Sequence, residues 1–240
     1  MTQTLLIIDT ETTGTDPTQD TVIEIGAILY SVSCQTALSH LSFLLYASQN
    51  AAEPINRIPP TALTALPHVL QHKSLSLLQE MALAADYVVA HNAEFDIQWF
   101  DDWQLPILRG PGQQSLQWLC SMADMTWPKQ TRPGESLIAL ALNHGIGVSS
   151  AHRALTDCQL LAELFNRLAP HELTALINQA LRPKAWFKAE VSYDDRQLAK
   201  DAGFRWHAVD KTWRRRMAIE DAAQLPFRVV QLQAILGVSI

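Results

Sequence analysis

Apolar residues along this chain fall first into short continuous runs and then into longer stretches with helical spacing. Leu5 to Ile8 form an unbroken run that predicts a buried strand over 4–10. A Gly/Asp/Pro turn at 14–17 separates it from a second strand over 21–30, and a third follows near 37–46. Short connections make these three an antiparallel meander. The proline-rich loop PINRIPPTAL leads into helical patterns near 61–69 and 74–84. DYVVA (86–90) predicts a short buried strand, after which Asn92 is placed to cap a helix beginning AEFDIQWF. QSLQWLCSM (114–122) predicts another strand with a helical run into Met125. ESLIALALNHGI predicts a helix over 135–143 stopped by Gly145, and ALTDCQLLAELFNRLA (154–169) is an amphipathic helix ending before Pro170. This order, β-β-β-α-β-α-β-α-α, predicts a mixed sheet covered by helices.

After a connector helix around 171–180, RPK breaks the pattern. A second unit then reads strand (185–191), helix (194–202), strand (212–217), short helix (219–224) and strand (227–232). Charge changes at the same place. Residues 1–181 hold 7 Lys and Arg against 17 Asp and Glu, net −10; residues 182–240 hold 11 against 7, net +4. The expected division is a main domain over 1–170, a connector over 171–183 and a small basic α+β domain over 184–240. At 48% hydrophobic and 18% charged, the chain has the composition of a folded protein. Residues 25–52 carry no Asp, Glu, Lys or Arg, but interspersed Ser, Gln, Thr and His make them two half-buried strands rather than a membrane span. No basic segment precedes the first apolar run, so no signal peptide is expected. Cys34, Cys120 and Cys158 are odd in number and far apart, which suits a reduced cytoplasmic protein.

The first strand ends in acid. In a strand, residues i and i+2 point to one face, so Asp9 and Glu11 project together. Like charges held close repel unless a cation bridges them, and oxygen ligands suit a hard divalent ion such as Mg²⁺ or Mn²⁺. Asp96 falls on the first turns of the helix after HN, and Asp157 lies on the long amphipathic helix with His152 five residues earlier.

Taken in order, DTETTG, HNAEFD and HRALTD resemble the three motifs of the DEDDh group of 3′→5′ exonucleases, DnaQ-like proofreading enzymes with a ribonuclease H-like fold. The resemblance covers roughly residues 4–169. It implies a mixed five-stranded sheet flanked by helices and a metal-dependent phosphodiester hydrolysis. The residue five before the last acid is His152, and the tyrosine of the sister group is replaced by Ala154, so the histidine type fits. The I-H-G-I pattern common in the family's loop before the second helix is absent from PPTALTALPHV. By the resemblance, Asp9 bridges two divalent ions, Glu11 and Asp157 complete the site of the ion beside the attacking water, Asp96 acts through intervening waters, and His152 is the general base. Thr10, Thr12, Thr13, Asn92 and Phe95 are expected to line the pocket for the 3′ end. The implied substrate is single-stranded DNA, releasing nucleoside 5′-monophosphates. The alternatives are trimming of RNA 3′ ends or short RNA oligomers, and a non-catalytic nucleic-acid-binding subunit. That last class is normally marked by a lost acid or histidine, and none is lost here.

The basic C-terminal stretch mixes Arg214, Arg215 and Arg216 with Trp186, Trp206 and Trp213. Basic groups can neutralise phosphates and exposed aromatics can stack on bases. The tryptophans of so small a unit are expected mostly in its core. The arginines are expected to grip nucleic acid or, alternatively, to dock a replication or repair protein.

Overall fold

A computed structural model describes residues 3–148 and 152–232. Three strands, β1 (Thr4–Thr12), β2 (Val22–Ser31) and β3 (Thr36–Leu44), form the antiparallel meander, and β4 (Tyr87–Ala90) and β5 (Gln117–Cys120) add in parallel. The sheet order is β3-β2-β1-β4-β5, the ribonuclease H-like mixed sheet. β1 is central and has helices against both faces, which explains its unbroken apolar run. Leu5 and Ile7 face α5 (Leu137–Asn143), α6 (Ala154–Asn166) and α7 (Pro170–Leu181). Leu6 and Ile8 face α3 (His68–Leu83) and α4 (Ala93–Ile97). Two short helices, α1 (Glu53–Asn56) and α2 (Pro60–Thr64), precede α3.

The close seating of α6 depends on one glycine. A Cβ on Gly26 would lie 2.3 Å from both the Ala154 carbonyl carbon and the Leu155 nitrogen. Gly26 pairs directly with Asp9 across β1 and β2, so the helix carrying Asp157 meets the sheet beside Asp9.

α7 leads into a second sheet: β6 (Lys184–Ala189), β7 (Arg205–His207), β8 (Thr212–Ala218) and β9 (Val229–Gln231), in the order β7-β8-β6-β9. α8 (Arg196–Asp201) and α9 (Ile219–Ala222) complete this unit. Its core is Phe187, Ala189, Ala199, Phe204 and Met217. The expectation that its tryptophans fill the core is therefore corrected. Trp206 is half exposed, Trp186 is only partly buried, and Trp213 packs from the edge. Phenylalanine takes the interior because it has no N–H to satisfy. Two further readings change. The helical run into Met125 is a series of turns, held where the Asp124 carboxylate accepts the Cys120 N–H (3.2 Å). The three-residue strand β7 was not anticipated. Among the described residues no helix is long and apolar enough to cross a membrane.

Candidate active site

The site forms at the end of β1, beside the carboxyl end of its parallel neighbour β4, where open α/β sheets characteristically leave a crevice. Alternation along β1 puts Asp9 and Glu11 on the same face as Leu5 and Ile7, which is the α6 face. α6 brings Asp157 to that face. Ligand-capable atoms of Glu11, His152 and Asp157 lie within 4.8 Å of one another. His152 has φ +61 and is exposed, and its backbone N–H donates to Asp157 Oδ2 at 3.1 Å. Histidine tolerates this left-handed conformation better than most side chains, and the bond fixes the loop against the carboxylate.

Asp96 enters from α4. It is buried, and its Oδ1 accepts both the Thr10 N–H (3.1 Å) and the Thr10 hydroxyl (2.8 Å). Asn92 occupies the N-cap position without a side-chain capping bond, so its amide is not spent on the helix. Phe95 packs edge-on against buried Trp99, with ring centroids 5.8 Å apart.

The hydroxyls of all three threonines are engaged inside the protein. Thr10 holds Asp96, the Thr12 hydroxyl donates to the Gly14 carbonyl, and the Thr13 hydroxyl donates to Asp20 Oδ1 (3.1 Å). Thr12 and Thr13 therefore build the turn beside the site with their side chains. Of the three arginines, Arg214 is ion-paired with Asp210, Arg215 turns inward to donate to the Ala202 carbonyl (2.6 Å), and Arg216 is exposed. They lie in the C-terminal sheet, apart from the carboxylates.

Three contributors escaped the sequence reading. Glu24, opposite Glu11 across the β1–β2 ladder, is buried and receives a two-pronged contact from Arg153: Nε to Oε2 at 2.9 Å and Nη2 to Oε1 at 2.8 Å. Its Oε2 also accepts the Ala154 N–H (3.1 Å). This clamp fixes the start of α6, and with it Asp157. The available signal was an acid inside the apolar run VIEIGAIL. The third is Asn56, whose amide donates to the Thr12 carbonyl at 3.2 Å. Arg57 beside it takes φ +58, a conformation glycine adopts most easily. The segment INRI thus abuts the acidic strand end.

The electrostatics are those of acids held together against their preference. Burial, followed by the charges of Asp96, Asp157, Glu11 and Glu24, raises the Asp9 carboxyl well above the carboxylate range. Burial first, then Asp157 and Glu24, pushes Glu11 up to about 8. Asp96 is raised to about 7 by burial, despite its bonds from Thr10. Asp157 is raised by burial as well. Arg153 opposes the rise at Glu11, but its guanidinium is committed to Glu24. An all-oxygen carboxylate set short of positive charge fits a hard divalent cation.

Comparison with known proteins gives the same assignment. The sequence pattern of the exonuclease family matches residues 6–165, and a domain family of unknown function matches 185–232. DNA polymerase III subunit epsilon of Treponema pallidum is 28% identical over 171 residues, covering 68% of this chain and 75% of that protein. The PolC-type DNA polymerase III of Thermotoga petrophila is also 28% identical, but this chain spans only 12% of its length. Among solved structures, a zinc-bound complex of E. coli exonuclease I with single-stranded DNA superposes with a TM-score of 0.57 at 18% identity. The match covers 83% of this chain and 50% of that one, which is a likeness of fold. With the family pattern extending over two thirds of its length, this chain belongs to the exonuclease family.

Proposed function

We propose that this protein is a metal-dependent 3′→5′ exonuclease that releases nucleoside 5′-monophosphates, with single-stranded DNA as its preferred substrate. The observation that carries this reading is the convergence of Asp9, Glu11, Asp96 and Asp157 with His152, the acids being raised by burial and by one another. Two Mg²⁺ or Mn²⁺ ions held by these four carboxylates would polarise the phosphoryl oxygens and stabilise the charge developing on the attacking and leaving oxygens. Asp9, Glu11, Asp96 and Asp157 would hold these ions through their carboxylate oxygens. His152 accepts the proton of the attacking water at an imidazole nitrogen. The water oxygen bonds to phosphorus, the P–O3′ bond breaks, and the oxygen left on the shortened strand takes up a proton. Thr10 keeps Asp96 oriented, and the Glu24–Arg153 clamp keeps Asp157 and His152 on the sheet. Asn92 and Phe95 contact the terminal nucleotide, beside the turn that Thr12 and Thr13 shape.

The preference for DNA is supported by the relatives: a DNA polymerase subunit, and exonuclease I structures bound to dA16 and dT13 oligonucleotides. The C-terminal unit is proposed to bind nucleic acid, since its net +4 contrasts with the −10 of the rest. A cytoplasmic location belongs to the same reading, consistent with three free cysteines.

A gel assay with 5′-labelled single-stranded DNA, duplex DNA and RNA tests this function. Single-stranded DNA should give a ladder shortening from the 3′ end, fastest of the three substrates. His152→Ala should slow it roughly 10²–10⁴-fold. Release of the labelled 5′ nucleotide first would overturn the polarity. A faster ladder on RNA would overturn the substrate, and an unimpaired His152→Ala would remove the proposed base.

A further inference from the structure

The catalytic part and the C-terminal sheet enclose a cleft of about 970 Å³. One end of it is formed by Asn92, Ala93, Glu94 and Ile97, which belong to α4 and its cap, the helix that carries Asp96 into the carboxylate site. The cleft therefore shares α4 with the carboxylate site, although Asp9, Glu11, Asp96, His152 and Asp157 do not line it.

Its walls have a consistent chemistry. Arg205 pairs with Arg214 across β7 and β8, and Arg216 pairs with Trp186 across β8 and β6. Because Arg214 and Arg216 are two residues apart on one strand, all four side chains share one face of the sheet, and all four line the cleft. From the catalytic part, Arg132 and Trp118 line the opposite wall. Arg132 and Arg205 are exposed and form no ion pair among the described residues. Two acids line the cleft among these cations: the exposed Glu94 on α4, and Asp124, neutralised by Lys184 at 2.9 Å with both side chains nearly fully buried. Lys184 begins the C-terminal unit, so this pair also holds the two walls in fixed relation. A second close approach supports this: a Cβ on Gly203 would lie 3.1 Å from the Pro133 side chain.

A positive trough with indole surfaces on both walls suits a polyanion whose bases are unpaired. The cations neutralise phosphates, and the rings offer stacking that a closed duplex cannot use. We propose that this cleft is the path of the single strand upstream of the scissile bond, leading its 3′ end past Asn92 into the carboxylate site. The proposal rests on the exonuclease reading for the direction of the strand, and the occupant is single-stranded nucleic acid.

The test uses the full chain in EDTA, so that binding is measured without hydrolysis. Affinity for a fluorescent 20-nucleotide single strand, DNA and RNA in separate arms, is followed by anisotropy across 50–200 mM salt. The double variant Arg132→Glu/Arg205→Glu, with one change on each wall, should bind about tenfold more weakly or worse, with a salt slope shallower by about 1.4 for two lost contacts. Lys73→Glu/Arg167→Glu makes the same change in net charge outside the cleft and should bind as the wild type does. Unchanged affinity and slope in the cleft variant, or an equal loss in the outside variant, would overturn the proposal. Equal losses in the DNA and RNA arms support a path that reads phosphate and base faces, and a loss in one arm alone restricts it to that acid. If wild type hydrolyses nothing in Mg²⁺ while binding still depends on the cleft arginines, the exonuclease reading falls and the cleft stands as a binding site.

Discussion

At Glu11 and Asp96 the fold holds carboxyls where ionisation is disfavoured, and this has a measurable sign. Their folded pKa values, about 8 and about 7, exceed the ordinary 4.5 and 3.8. Across that window the folded chain retains protons that the unfolded chain has released, so raising the pH favours unfolding. In EDTA the Tm should therefore fall from pH 5 to pH 8, and Glu11→Gln should flatten part of the fall. Asp9→Ala should hold or raise metal-free stability, because it relieves the same repulsion. A divalent ion reverses the preference. At 100 times its Kd it adds about 2.7 kcal/mol, roughly 5–10 °C for a chain of this length. A metal-free Tm that rises over the same pH range would contradict the assignment of strain to these acids. The five residues proposed to carry the chemistry stood out in the sequence because their spacing at strand ends and helix starts is local. Glu24 and Asn56 were not, because their partners, Arg153 and the Thr12 carbonyl, lie 129 and 44 positions away.

Among the elements, α6 decides the geometry, and Gly26 decides where α6 sits. Gly26→Ala would drive a methyl group into the helix backbone, where no side chain can move aside to accommodate it. The helix must shift, taking Asp157 and the His152 loop away from Asp9. The expected result is a loss of about 1–3 kcal/mol from overpacking and a fall in kcat of roughly 10²-fold, as a displacement near 1 Å produces. Thermal melts and single-turnover rates at saturating metal check both. Full activity would mean that α6 has slack the packing does not show. The apolar periodicity of 154–169 made α6 visible in advance, and the run at Leu5–Ile8 did the same for β1. Strand β7 was invisible because three residues carry no periodicity. The turns at 121–125 were misread because the Asp124 carboxylate turns back to the Cys120 N–H and is held by Lys184, which lies 60 positions away.

Over the whole molecule, charge is divided between two units that are docked together. The net −10 part holds the carboxylate cluster, and on the proposed reading the net +4 part would meet phosphates. The division was plain from counting charges along the chain. The docking was not, because the Lys184–Asp124 pair joins positions 60 residues apart. Cutting the chain near residue 181 would strip Asp124 of that partner and bare the cleft, so the role of the C-terminal unit is best tested by point variants in the intact protein. The central claim is that the acidic strand end exists to hold divalent cations that support hydrolysis. The most direct measurement is the rate of 3′-nucleotide release from single-stranded DNA as Mn²⁺ is titrated into metal-free protein, for wild type and for Asp9→Asn. Release should be absent in EDTA, should rise to saturation with Mn²⁺ for wild type, and should remain near background for Asp9→Asn although that variant is folded. Hydrolysis in EDTA, or an undiminished rate in Asp9→Asn, would contradict the account.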